Sequence, residues 1–109
     1  MKFVVISKAK HMVPPEMIIP LLDAFLAWID KYTESGQFED GWSFAGMQAG
    51  GGILNVDSHE ELDAIMAEYP FGPLSEQEIY PVVDLREALQ RGKALAQARM
   101  EAMAQGGAG

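Results

Sequence analysis

The chain contains no cysteine. Disulfides, thiolate metal sites and a cysteine nucleophile are therefore excluded, and the absence fits a reducing compartment. Basic residues are also scarce, with 8 lysines and arginines against 16 acids and a net charge of -8. Phosphate backbones and anionic membrane surfaces repel such a surface, so neither nucleic acid nor membrane is expected as a partner. Long hydrophobic runs are missing too. The opening Met1-Lys2-Phe3-Val4-Val5-Ile6 loses its apolar character at Ser7, too soon for a signal-peptide core, and nothing later approaches a membrane span. A cytoplasmic location is the resulting expectation. His11 and His59 lie far apart with no clustered acids, so neither a metal site nor a cofactor is expected. Gly50-Gly51-Gly52 lacks the lysine and helix of a phosphate-binding loop and reads as a turn; no Gly-x-Ser-x-Gly elbow exists.

What is present suits one small domain over residues 1–104, with 105–109 expected as a disordered tail. Phe3 to Ile6 is β-branched and aromatic and predicts a first strand. Pro14-Pro15 marks a loop, and a helix follows from about Glu16 to Ser35, with Pro20 in its first turns pointing to a later start. Its apolar residues Ile18, Leu22, Phe25, Leu26, Ile29 and Tyr32 recur at three- and four-residue steps, and Gly36 caps it. Trp42, Phe44 and Gly46 alternate with Gly41, Ser43 and Ala45 as a second strand. The glycine turn then leads to a third at Ile53 to Val56. Ser58 and Glu61 form a capping box, opening a helix that Pro70 ends. Ile79 to Val83 is a fourth strand, and Asp84 with Glu87 opens a last helix to about Met103. The order strand, helix, strand, strand, helix, strand is the ferredoxin-like βαββαβ arrangement of the α+β class, an antiparallel sheet with two helices on one face, plus a C-terminal helix. The sheet's other face is left bare, and a second copy's sheet is the simplest cover, which predicts a homodimer or higher homo-oligomer. The small-residue stripe of the last helix suits packing on a partner subunit or back on its own domain.

The segment from Gly36 to Val82 resembles the muconolactone isomerase family. The residues that carry this are Ser35-Gly36-Gln37-Phe38, Trp42 with Ala45-Gly46, Val56-Asp57-Ser58 with Glu60 and Leu62, then Pro70, Pro73 and Glu76-Gln77-Glu78-Ile79. The resemblance implies a dimeric α+β barrel with a small-molecule cavity. Phe25 stands where that family carries a glutamate, and Met47-Gln48 where it carries a His-Tyr pair. The implied activity is a cofactor-independent isomerase or cyclase working by proton transfer on a small apolar metabolite, of the aromatic-catabolite or polyketide kind. A non-catalytic ligand-binding or accessory protein and a cofactor-free monooxygenase are the alternatives.

Candidate residues follow from chemistry and position. Phe25, Trp28, Trp42, Phe44 and Met47 are expected as cavity wall, or else simply as core. Tyr69 and Tyr80 offer hydroxyls to a polar substrate atom, with Tyr80 assigned to the face opposite Glu78. His11, just after the first strand, titrates near neutrality and is a candidate general base; a surface loop is its plainer setting. Asp23, twelve residues on, would complete a His–Asp dyad unless it belongs to the helix's solvated border with Asp30. Glu76 and Glu78 share one side of the fourth strand, so Glu78 is a candidate acid or base if that side faces the cavity.

Overall fold

The computed structural model describes residues 1–106. Four strands, β1 (Lys2–Ala9), β2 (Phe38–Ser43), β3 (Ala49–Asn55) and β4 (Ser75–Val82), form one sheet in the order β2-β3-β1-β4. All neighbours are antiparallel. Helices α1 (Pro15–Glu34) and α2 (His59–Ala67) cover one face, and α3 (Leu85–Gly106) follows β4. This is the ferredoxin-like α+β fold, with an added C-terminal helix.

Local chemistry explains the element boundaries. Pro15 opens α1 in the first turn, where a missing N–H removes no helical bond. The helix runs straight through Pro20 rather than starting after it, because one lost ladder bond is outweighed by the packing of the stripe that follows. Gly36 ends it at φ +81°, a left-handed conformation open to glycine, and donates its N–H to the Thr33 carbonyl at 3.1 Å. Ser58 Oγ accepts the Glu61 N–H at 3.1 Å and the Glu61 carboxylate accepts the Asp57 N–H at 2.8 Å, which starts α2.

The β2–β3 hairpin differs from the sequence expectation. β2 stops at Ser43, so Phe44 and Gly46 belong to the connection, and the left-handed residue of that turn is Gly46 at φ +76°. Gly50, Gly51 and Gly52 are strand rather than turn, paired with Ser7, Ile6 and Val5 of β1. The reason is steric. A β-carbon on Gly51 would stand 2.6 Å from the Trp42 ring, and one on Gly52 would stand 2.9 Å from the Phe38 ring. Two aromatic side chains of β2 lie across β3, and only glycine lets them do so.

The core sits at one end of the helix–sheet layer. Phe3, Val5, Leu54 and Val56 meet Trp28 and Tyr32 of α1 and Leu62 and Ile65 of α2. Trp28 Nε1 donates to the Ile65 carbonyl at 3.0 Å and ties the two helices together. The helix-free face, by register, carries Val4, Ile6, Ile53, Trp42, Tyr80 and Val82.

No residue of α3 is buried. The longest dimension of the chain is 75 Å against 29 and 23 Å, and its radius of gyration is 20.3 Å. A compact chain of this length would have about 13 Å, and a 22-residue helix adds about 33 Å of length, so α3 projects from the domain. The Glu87 N–H donates to Asp84 Oδ2 at 3.0 Å and caps it. α3 continues through Gln105 and Gly106, which are helical rather than tail; the rest of the expected disordered tail lies outside the described residues. Among the described residues, no helix is long and apolar enough to cross a membrane.

Candidate functional site

The end of the layer away from the core is hollow. A cavity of about 820 Å³ lies between the sheet and the face of α1 that runs from Ile18 to Ile29. Four choices in the sequence open it. β3 contributes Gly50 and Gly52, which bring no side chain of their own to the helix side, and β1 contributes only Ser7 and Ala9 beyond Val5. α1 faces it with Ile18 and Leu22, which stay 43% and 48% exposed because nothing packs against them. The loops before α1 and after β2 border its mouth with His11, Met12 and Met47.

Its inner wall is aromatic. Phe25 meets Tyr69 edge-on with ring centroids 5.2 Å apart and Phe71 at 5.7 Å, and Trp28 meets Tyr69 at 5.4 Å and Phe38 at 5.8 Å. These edge-on and tilted contacts hold the rings in fixed orientations. Beside them lies a small polar cluster. Ser7 Oγ is 3.0 Å from the Tyr69 hydroxyl and donates to Ser75 Oγ at 3.0 Å. Ser75 Oγ donates to the Phe71 carbonyl at 2.6 Å and accepts from Gln77 Nε2 at 2.6 Å. Register builds this cluster: Ser7 pairs with Gln77, and Ala9 with Ser75, across β1 and β4. Among the described residues, no Asp, Glu, Lys or Arg lines the cavity, and His11 is its one imidazole.

The sequence-predicted residues divide accordingly. Phe25, Trp28, Met47, Tyr69 and His11 border the cavity, with His11 exposed at the mouth. Trp42 borders it from the sheet edge, its ring laid over Gly51. Phe44 does not line it, because β2 has already ended and the turn carries the ring elsewhere. Asp23 is exposed and away from the cavity, since the residues α1 turns inward are Ile18, Leu22, Phe25 and Ile29. Glu78 is on the helix-free face, opposite Ile6, whereas the cavity lies on the helix side. Tyr80 is on that same helix-free face, not the opposite one, because alternate strand residues share a side. Its hydroxyl donates to Glu78 Oε2 at 2.7 Å, and that bond to a carboxylate holds the phenol above its usual pKa. His59 is exposed on α2, its ring edge-on to Phe3 at 5.9 Å. Ser7, Ser75 and Gln77 had no sequence signal beyond strand alternation, since their cluster depends on which strands become neighbours. Among the described residues, no group of three His, Asp or Glu side chains is arranged to hold a metal ion.

Comparison with known proteins bears on the fold first. Muconolactone isomerase superposes with a TM-score of 0.71 at 22% identity, over 77% of this chain and 90% of that one. The 5-chloro-2-hydroxyhydroquinone dehydrochlorinase of Burkholderia phenoliruptrix, solved with 2,5-dihydroxybenzoquinone, superposes at 0.60 and 17% identity, over 80% and 98%. An antibiotic biosynthesis monooxygenase superposes at 0.51 and 13%, over 77% and 100%. The resemblance carried by Gly36 to Val82 therefore holds at the level of the fold. No curated protein matches the sequence. A family model matches residues 1–96, and the chain belongs to that family, described as "Domain of unknown function (DUF3303)".

Proposed function

We propose that the protein is a cytoplasmic, cofactor-independent enzyme of the isomerase or cyclase kind that acts by proton transfer on a small, largely apolar metabolite. The observation that carries this reading is the cavity itself: about 820 Å³, walled by oriented rings and containing one hydroxyl cluster. That combination of apolar wall and few convergent polar groups is what a small-molecule site requires. His11 at the mouth is the proton carrier in this proposal, since Asp23 and Glu78 lie elsewhere. Phe25, Trp28, Met47 and Tyr69 orient the substrate. The fold neighbours include an isomerase, a dehydrochlorinase and a monooxygenase, a range of small-molecule chemistries that supports the class rather than the reaction.

The working unit in this proposal is a dimer. The helix-free face presents Trp42, Tyr80 and Val82 at 38%, 49% and 37% exposure, an apolar patch that a second sheet would cover.

The second reading, a ligand-binding protein without catalysis, is favoured by the absence of any carboxylate in the cavity wall. Deuterium uptake by 2-tetralone, a neutral enolisable ketone, separates the two. The enzyme reading expects the wild type to accelerate exchange at the carbon beside the carbonyl and His11→Ala to lose most of that acceleration. Binding of the ketone with no acceleration in the wild type would leave only the ligand-binding reading.

A further inference from the structure

The hydroxyl cluster has one consistent distribution of protons, and that distribution selects a class of ligand. Ser75 lies 2.6 Å from the Phe71 carbonyl, which has no proton, so the Ser75 proton is committed there. Ser75 Oγ is then an acceptor for Gln77 Nε2 and for Ser7. Ser7 has a single hydroxyl proton, spent on Ser75. Its 3.0 Å contact with Tyr69 therefore needs the phenolic proton, and Tyr69 donates to Ser7. The protons run Tyr69 to Ser7 to Ser75 to the Phe71 carbonyl. What Tyr69 has left for a ligand is a lone pair.

We infer that the cavity selects neutral, flat, ring-containing ligands that bear a hydrogen-bond donor, such as a phenol or an enol, and discriminates against carboxylates. This rests on the proposed small-molecule site and names its ligand class. The donor preference follows from the lone pair on Tyr69. Neutrality follows from a wall without Lys or Arg in a chain of net charge -8, where an anion in the interior would be desolvated with no fixed cation beside it and only His11 at the mouth. Flatness follows from the rings of Phe25 and Trp28, set edge-on to each other, and from the Phe38 ring laid over Gly52, which line the cavity with planar surfaces. The volume exceeds what a single ring fills and suits a multi-ring ligand.

The test is isothermal titration of the intact protein with four probes of one skeleton: naphthalene, 2-naphthol, 2-methoxynaphthalene and 2-naphthoate. The expectation is that 2-naphthol binds about five- to tenfold more tightly than 2-methoxynaphthalene, the size of one net hydrogen bond. 2-Naphthoate should bind more weakly than naphthalene. Ser7→Ala frees the Tyr69 proton, so the preference should shift toward the methyl ether, an acceptor. Tyr69→Phe should erase the preference while naphthalene still binds. Equal affinities for naphthol and its ether in both wild type and Ser7→Ala would overturn the donor inference while leaving the cavity as a ligand site. Tightest binding by 2-naphthoate would overturn the neutrality inference. No binding by any probe would remove the proposed site and this inference with it.

Discussion

The two ends of the helix–sheet layer are built from the same strands and the same helix, yet one is solid and the other hollow. At the solid end β1 supplies Phe3 and Val5, β3 supplies Leu54, and α1 supplies Trp28 and Tyr32, all buried. At the hollow end β1 supplies Ser7 and Ala9, β3 supplies Gly50 and Gly52, and α1 supplies half-exposed Ile18 and Leu22. The change occurs within a few residues along each element. Stability is therefore concentrated where the helices are tied by Trp28, and the other end is free to keep a cavity that ordinary packing would have filled.

That contrast can be broken by mutation, most sharply at the solid end. Leu54 is 1% exposed, so Leu54→Ala should lose about 3 kcal/mol, the usual cost of a buried leucine truncation, in urea unfolding. A loss under about 1 kcal/mol would mean the solid end is not where stability resides. Ser58→Ala removes the acceptor for the Glu61 N–H at the start of α2 and should cost about 1 kcal/mol in the same assay. At the hollow end Leu22→Ala, at 48% exposure, should cost well under half of the Leu54 value, because part of its surface is already in water. Equal costs for the two leucines would erase the comparison.

The smallest effect is electrostatic. The Tyr32 hydroxyl and Lys31 Nζ donate to Glu68, which ties the end of α1 to the end of α2. Those bonds lower the Glu68 pKa below its usual 4.5. The Lys31 pKa is raised chiefly by its bond to Glu68, while that of Tyr32 is raised by burial first and Glu68 second. A carboxylate with a depressed folded pKa stabilises above its unfolded value and loses that contribution as pH falls through the folded one. Lys31 and Tyr32 do the reverse, contributing below their unfolded pKa values and losing it as pH rises through the folded ones. Glu68→Gln should therefore flatten the decline in melting temperature below about pH 4.5 without changing the cavity.

Much of this contrast was legible in the sequence at the level of elements. The three- and four-residue spacing of α1, the Ser58–Glu61 capping box and the Gly36 cap each depend on neighbours in the chain, and all appear in the structure. Strand alternation alone puts Glu76, Glu78 and Tyr80 on one side, so the expectation that Tyr80 faces away from Glu78 fails on residue parity and not on any non-local partner. What could not be read were features that depend on non-local partners. Gly50 to Gly52 look like a turn until the rings of Phe38 and Trp42 are laid across them. Ser7, Ser75 and Gln77 look like ordinary strand residues until β1 and β4 pair in register. The candidate site is largely made of such residues. Its wall was named in good part from the sequence, but its polar cluster was not.

The hollow end, and not the helix-free face, is the proposed ligand site, and a ¹⁵N NMR titration with 2-naphthol distinguishes the two. Amide shifts should concentrate at Ser7, Gly50 to Gly52 and Tyr69, with Leu62 and Ile65 at the solid end unmoved. Shifts concentrated at Val4, Ile53 and Tyr80 would place the ligand on the helix-free face instead.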